Sequence, residues 1–412
     1  MQYRKMPNSD EKLSVLGYGC MRLPTKSGGS YSGLIDKETA KRQIRLAIDN
    51  GVNYLDTAFP YHMGASETFL GEVVLKDGYR EKVKLATKLP CFFIKKKEQI
   101  EEYFQKQLKK LQTDYFDYYL MHALNYETWR RMVDFGIIEF MDKIRAEGKV
   151  KHIGFSFHDE PESFIKIVDE YNWEFAQVQY NIIDQHYQAG IEGIEYAHKK
   201  GLGIIIMEPL RGGALTSKTP KRVLDIYDNQ EISRSPAEWA LRWIWNNPMV
   251  TLILSGMNND DHILENIKVA SETLPNSLTK ADLKVVDKVK AVYDDLLQVN
   301  CTGCGYCMPC PAGINIPQAF KNLNDFHMFS KRGAVIQHLQ SAGIMTKDGK
   351  HRFTSVCIDC GACEAKCPQN IEIRKEFKHV RKHLEGPVIR MFAWGGRAYL
   401  RTKNRKKKTK EA

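Results

Sequence analysis

Val52-Asn53-Tyr54-Leu55-Asp56-Thr57-Ala58-Phe59-Pro60-Tyr61 carries a short apolar run into a carboxylate, with a phenol five residues further on. The run reads as a buried strand, and a carboxylate at its end needs a partner. Two later runs stop in the same way: Val83-Lys84-Leu85-Ala86-Thr87 at Lys88, and Phe116-Asp117-Tyr118-Tyr119-Leu120-Met121 at His122. Three consecutive predicted strands therefore each deliver one ionisable group at the C-terminal end. In a barrel of parallel strands those ends meet on one face, where the loops entering the helices build the site.

Outward from this stretch, strand and helix alternate. Strands are predicted over residues 15–21, 53–56, 83–88, 116–121, 150–156, 175–180, 203–208 and 250–255. Helices are predicted over 37–50, 66–75, 97–111, 127–147, 161–170, 189–200, 235–246 and 260–272, several of them closed by glycine. Eight such units in about 270 residues match a (β/α)₈ TIM barrel, with residues 1–24 supplying a hairpin or barrel floor and the first strand. A doubly wound open sheet is the competing α/β fold, but it is expected to carry a GxGxxG turn after its first strand, and the chain has none. The predicted layout is a barrel over 1–275, a helical linker over 276–299, a cysteine-rich domain over 300–380 and a basic tail over 381–412.

Asp56, Tyr61, Lys88 and His122 make chemical sense together. Tyrosine titrates near ~10 in water, and an adjacent ammonium favours its phenolate, so Lys88 tunes Tyr61 as a proton donor and acceptor. Asp56 keeps a lysine set among apolar strands charged. His122 then shares with Tyr61 the stabilisation of charge developing on a carbonyl oxygen.

The strings Asp56–Tyr61 (DTAFPY), 86–90 (ATKLP), 117–123 (DYYLMHA), 148–156 (GKVKHIGFS), 177–181 (QVQYN) and 207–213 (MEPLRGG) resemble the aldo-keto reductase family over about residues 1–275. The resemblance implies NAD(P)H lying across the C-terminal face of the barrel and a small carbonyl or alcohol substrate. It implies Ser156 and Gln177 at the carboxamide, Leu210, Gly212 and Gly213 at the pyrophosphate, and Glu265 and Asn266 at the adenosine end. Three positions depart from the family. Phe157 stands where an Asn is usual, and Met207 replaces the tyrosine that stacks on nicotinamide. Gly256, Met257 and His262 occupy the positions that usually grip the 2'-phosphate, so NADH is expected to compete well with NADPH.

Of ten cysteines, eight lie after residue 300, in Cys301-x-x-Cys304-x-x-Cys307-x-x-Cys310-Pro and Cys357-x-x-Cys360-x-x-Cys363-x-x-x-Cys367-Pro. The runs are an internal repeat, continuing as Pro311-Ala312-Gly313-Ile314-Asn315-Ile316 and Pro368-Gln369-Asn370-Ile371-Glu372-Ile373. The second is the bacterial ferredoxin signature for a [4Fe-4S] cluster, and the first is one residue shorter. Zinc also takes four cysteines in CxxC pairs, but four in one run closed by proline, twice, favour two [4Fe-4S] clusters. In two-cluster ferredoxins the fourth cysteine of each run serves the other cluster, which groups Cys301, Cys304, Cys307 and Cys367, and Cys357, Cys360, Cys363 and Cys310. The 46 residues between the runs read as helical over 318–324 and 331–341, so a mainly α-helical ferredoxin-like domain is expected. The whole layout resembles the ferredoxin-fused branch of the aldo-keto reductases, found in anaerobes.

The net charge of +11 is mostly a property of the C-terminus: from residue 381 on, eleven basic residues face two acidic ones, leaving about +2 for the rest. This gives no basic body for a nucleic acid. No apolar run is long enough to span a bilayer and no signal-peptide core opens the chain, so the cytoplasm is the expected location. The tail reads as a solvated segment or, with Phe392, Trp394 and Tyr399, as a patch for an acidic electron-carrier protein or an anionic membrane. Hydride carries two electrons and each cluster accepts one, so a relay needs a converter such as flavin, for which Met207 leaves room. The expected function is hydride transfer between nicotinamide and a carbonyl or alcohol. The alternative is an iron-sulfur electron-transfer or redox-sensing protein whose barrel has little turnover.

Overall fold

An antiparallel hairpin, β1 (Tyr3–Lys5) and β2 (Lys12–Ser14), precedes eight strands: β3 (Leu16–Gly19), β4 (Tyr54–Asp56), β5 (Lys84–Leu89), β6 (Phe116–Leu124), β7 (Val150–Phe157), β8 (Phe175–Gln179), β9 (Gly203–Met207) and β10 (Leu252–Ser255). All eight are parallel and close into a barrel in chain order, β10 pairing with β3. The computed structural model describes residues 1–7, 9–26, 32–217, 219–301, 303, 305–328, 331–344 and 351–396. Cys304 and the tail from residue 397, both singled out above, lie outside the described residues.

The two-residue period of a strand divides the side chains into two layers. Leu55, Leu85, Tyr119, Met121 and Phe155 pack outward against the helices. Tyr54, Ala86, Tyr118, Leu120, Phe175 and Ile205 fill the barrel itself. Met6 and Leu13 of the hairpin join this inner core and plug its N-terminal end; a Cβ at Gly203 would stand 2.5 Å from the Met6 sulfur.

Three predicted helices differ in form. The one expected over 127–147 is two, Tyr126–Asp134 and Ile137–Ala146, because the chain turns at Gly136 with φ +79°. That turn needs no Cβ, and periodicity does not announce it. The helix expected over 66–75 is α-helical only over Ala65–Phe69 and widens to a π-turn over Leu70–Val74. The helix expected after residue 331 runs over Lys331–His338 and also ends in a π-turn, Leu339–Ile344.

The chain divides into two compact units, residues 1–217 with 226–288, and residues 218–225 with the chain from Val289 on. The second unit is helical, and the cysteine repeat is visible in its backbone. Gly313 N–H donates to Cys310 O at 2.8 Å and Asn370 N–H to Cys367 O at 3.1 Å. Gly313 and Asn370 both have positive φ, 74° and 48°. Each turn then enters a helix, Ile316–Met328 or Ile373–Leu384. Four residues into each, Phe320 and Phe377 meet with ring centroids 5.7 Å apart.

Candidate active site and cysteine sites

Asp56, Lys88 and His122 each lie two residues beyond a side chain of the inner core, Tyr54, Ala86 and Leu120. The strand period therefore turns all three into the barrel mouth. Lys88 Nζ reaches both carboxylate oxygens of Asp56, at 2.6 and 2.7 Å, the carbonyl of Thr57 at 2.8 Å, and the Tyr61 hydroxyl at 3.3 Å. Both members of the ion pair are buried. Burial pushes Asp56 up and Lys88 down, and their contact opposes both shifts. Burial, with Lys88 and His158 nearby, holds His122 well below its ordinary value, so its imidazole is neutral. Its ring stands 6.1 Å from that of Tyr61 and 5.4 Å from that of Phe92. The four predicted residues are thus one constellation.

Sequence reasoning missed what surrounds it. Glu67 accepts from Thr87 Oγ1 at 2.8 Å and from Gln107 Nε2 at 2.6 Å, and Gln107 also donates to Lys88 O at 3.0 Å. Tyr119 Oη donates to Gln107 Oε1 at 2.8 Å, closing a buried polar girdle that holds the backbone of the lysine strand. Buried Cys20 lies close enough to Asp56 and Lys88 to feel both charges. After Tyr61 the backbone takes three left-handed residues in a row, His62, Met63 and Gly64, at φ 52°, 55° and 88°. His62 anchors this turn, accepting from Leu23 N–H at Nε2 (3.1 Å) and meeting Ser32 O at Nδ1 (2.8 Å). A lone histidine one residue past the tyrosine was the only available signal.

The residues carried over for the cofactor are dispersed around the same face. Ser156 Oγ accepts from Ala123 N–H at 2.8 Å. Gln177 donates to the Met207 sulfur at 3.7 Å, while its buried Oε1 has no hydrogen-bond partner. Leu210 opens the turn containing Gly212 (φ 66°) and Gly213 (φ 89°). Gly212 O accepts from Arg22 at 3.0 Å, and a Cβ on Gly212 would sit 2.8 Å from that guanidinium. Arg22 also packs beside Gly256, joining the loops after β9 and β10. Arg211 is buried, pairs with Asp184 at 3.2 Å and leaves Nη2 without a partner. Glu265 accepts from Ser235, and buried Asn266 donates to Ser255 Oγ at 3.0 Å. Phe157 faces the helix layer, 5.0 Å from Phe164, and Met257 is buried with its carbonyl on the Tyr18 hydroxyl.

In the second unit a small cavity is lined by Cys301, Cys307 and Cys367 with Ile316, Phe320 and Ile371. The fourth cysteine of the second run thus stands with the first run. Cys363 lies within electrostatic reach of Cys310, the converse exchange. Among the described residues no three His, Cys, Asp or Glu side chains converge on a point as a single ion requires. Three thiols edging an apolar space suit the iron-sulfur cluster that the spacing of the runs leads one to expect.

The family model for aldo/keto reductases matches residues 15–289, and that for a 4Fe-4S dicluster domain matches residues 300–372. The uncharacterized oxidoreductase YqkF of Bacillus subtilis is 25% identical over 315 residues, covering 69% of this chain and 95% of its own. The aldo-keto reductase YhdN of the same organism is 25% identical over 327 residues, covering 69% and 93%. The holo form of aldo-keto reductase AKR11C1 from Bacillus halodurans superposes with a TM-score of 0.57 at 25% identity, covering 70% of this chain and 96% of its own. No helix among the described residues is long and apolar enough to cross a membrane. With a closed parallel barrel, an ion pair buried at its mouth and the cysteine repeat after it, the chain belongs to the aldo/keto reductase family of oxidoreductases and carries a C-terminal 4Fe-4S dicluster domain.

Proposed function

We propose that the barrel mouth catalyses hydride transfer between a nicotinamide cofactor and a small carbonyl compound or its alcohol. The observation that carries this reading is Lys88, locked on Asp56 with the Tyr61 hydroxyl 3.3 Å away and neutral His122 beside it. A nicotinamide cofactor, when bound there, would supply hydride chemistry at the carbonyl carbon. Tyr61 Oη gives its proton to the carbonyl oxygen, and the Lys88 ammonium stabilises the phenolate left behind. Asp56 holds Lys88 charged and in place. His122, being neutral, donates an N–H hydrogen bond to the same oxygen and keeps its proton.

Two buried orphans support the cofactor's place. Gln177 Oε1 suits the N–H of a carboxamide, and Arg211 Nη2 suits a pyrophosphate oxygen near the Gly212 turn. The helix Asp260–Glu272, at the adenosine end, opens with Asp260 and Asp261. Asp260 is engaged by Arg42 and Gln43, and Gly256, Met257 and His262 do not reproduce the basic grip usual in the family for a 2'-phosphate, each lost charged contact costing about 1–3 kcal/mol, so NADH is expected to compete well with NADPH. Cys301, Cys304, Cys307 and Cys367 would hold one [4Fe-4S] cluster, and Cys310, Cys357, Cys360 and Cys363 the other.

The test is oxidation of NADH and NADPH by a panel of small aldehydes and ketones, using full-length protein with its clusters reconstituted under anaerobic conditions. Tyr61→Phe is expected to lower kcat roughly 10²–10⁴-fold while leaving NADH affinity, read by tryptophan fluorescence, nearly unchanged. Unchanged turnover would sink the assignment, and a 100-fold preference for NADPH would sink the cofactor reading. Absence of turnover on every substrate, with clusters that bleach on NADH, would favour the electron-transfer alternative.

A further inference from the structure

Residues 387–396, Pro-Val-Ile-Arg-Met-Phe-Ala-Trp-Gly-Gly, form a helix with one charge in ten positions. Its inner side is packed: Ala393 is fully buried, close against Gly343, and Gly396 lies against Ile344. Its outer side is also apolar. Val388, Met391, Phe392 and Trp394 are 59%, 62%, 59% and 70% exposed. At helical spacing they form one arc turned away from Ala393. A helix that is apolar all round is normally covered all round, and a contiguous exposed patch of large side chains marks a surface that binds something. Trp394 is the one exposed tryptophan of the six in the chain.

The sequence immediately after this helix identifies the partner. The sixteen residues from Arg397 to Ala412 contain Arg397, Arg401, Lys403, Arg405, Lys406, Lys407, Lys408 and Lys410 against a single Glu411. Exposed Arg390 adds to them within the helix itself. We propose that the exposed apolar face of this helix docks the protein on an anionic lipid bilayer, the positive charge of the sequence that follows arguing for that occupant. Apolar side chains entering the interface and a polybasic stretch beside them are the two signals that together give stable peripheral binding. Tryptophan is at home where one end is apolar and the other wet. The charges of Arg390, Arg397 and Arg401 rule out a membrane span through this stretch, so the helix would lie in the interface plane. A protein partner would be recognised by charges of both signs in fixed positions; eight basic residues within fourteen positions suit a surface of uniform opposite charge.

The experiment uses the full-length holoprotein and two vesicle preparations, phosphatidylcholine alone and phosphatidylcholine with about 30% phosphatidylserine. The protein is expected to sediment with the anionic vesicles only, with a blue shift of tryptophan emission that Trp394→Phe abolishes, and to be released by high salt. The triple change Met391→Ser, Phe392→Ser and Trp394→Ser should weaken binding at least about ten-fold, with iron content and NADH oxidation intact. Deleting residues 397–412 should remove the salt-sensitive part. Failure to bind anionic vesicles at low salt, or equal binding to neutral ones, would overturn the proposal. Self-association of the free protein that the triple change abolishes would make the face an interface between copies instead. A salt-sensitive complex with an acidic ferredoxin, without vesicle binding, would assign the face to a protein and equally overturn it.

Discussion

At the barrel mouth the protein satisfies its own buried charge, Lys88 being engaged by Asp56, Thr57 and Tyr61 and backed by the Glu67–Gln107 girdle. In the C-terminal unit Cys301, Cys307 and Cys367 edge a cavity, and the apolar cluster beside it holds eleven buried side chains among the described residues. The barrel's buried ion pair is satisfied by the chain's own groups, whereas the thiols of the second unit line a cavity that a cluster would fill. A core that small calls for a metal staple, and metal binding then becomes part of the folding free energy.

Removal of iron is the strongest way to break this contrast. Chelation under anaerobic conditions is expected to abolish amide-exchange protection in the helices Ile316–Met328 and Ile373–Leu384, while strands β4 to β6 keep theirs. Full protection of both helices without iron would show that the second unit stands alone.

Asp56→Asn attacks the barrel from within. It leaves Lys88 buried without a counter-charge, a loss worth roughly 3–5 kcal/mol when one partner of a buried pair is removed. The denaturant midpoint of the barrel should fall accordingly, with the iron content unaltered. A midpoint equal to the parent's would mean that Thr57 and water suffice to hold the lysine.

A smaller effect sits at the barrel floor. His152 meets Glu174 at 2.5 Å and Glu11 at 3.4 Å. Burial works hardest against its charge, yet its hydrogen bonds to Glu11 and Glu174 carry it up to about 9 from 6.5. The folded chain therefore holds this proton more tightly than the unfolded one. The resulting stabilisation, on the order of 3 kcal/mol, is complete below about pH 6.5 and lost as pH rises through about 9. Barrel stability measured across that window should fall in the parent and stay flatter in His152→Gln. Parallel curves would place the sensitivity elsewhere and leave pH and iron acting on both units alike.

The alternation of strands and helices was legible because amphipathic periods are local, and the tetrad because Asp56, Lys88 and His122 each end an apolar run and Tyr61 follows Asp56 by five residues. That Cys367 would stand with Cys301 and Cys307 was legible because the spacing of the two runs matches the two-cluster signature. The helix break at Gly136 and the π-turns at 70–74 and 339–344 were not, since each is a deviation of one residue inside a continuing apolar pattern.

From its sequence alone this protein has a closed α/β barrel, a carboxylate, a phenol, an ammonium and an imidazole placed to converge, and two cysteine runs that repeat. Tertiary structure decided that Gln107, forty residues from Glu67, completes the girdle behind Lys88. It decided also that Cys20 neighbours Asp56, that Phe320 meets Phe377 across the repeat, and that the helix over 387–396 leaves half of its apolar surface uncovered. A strand or helix declares its own period within a few residues, but which faces meet depends on barrel closure and packing between segments far apart in the chain.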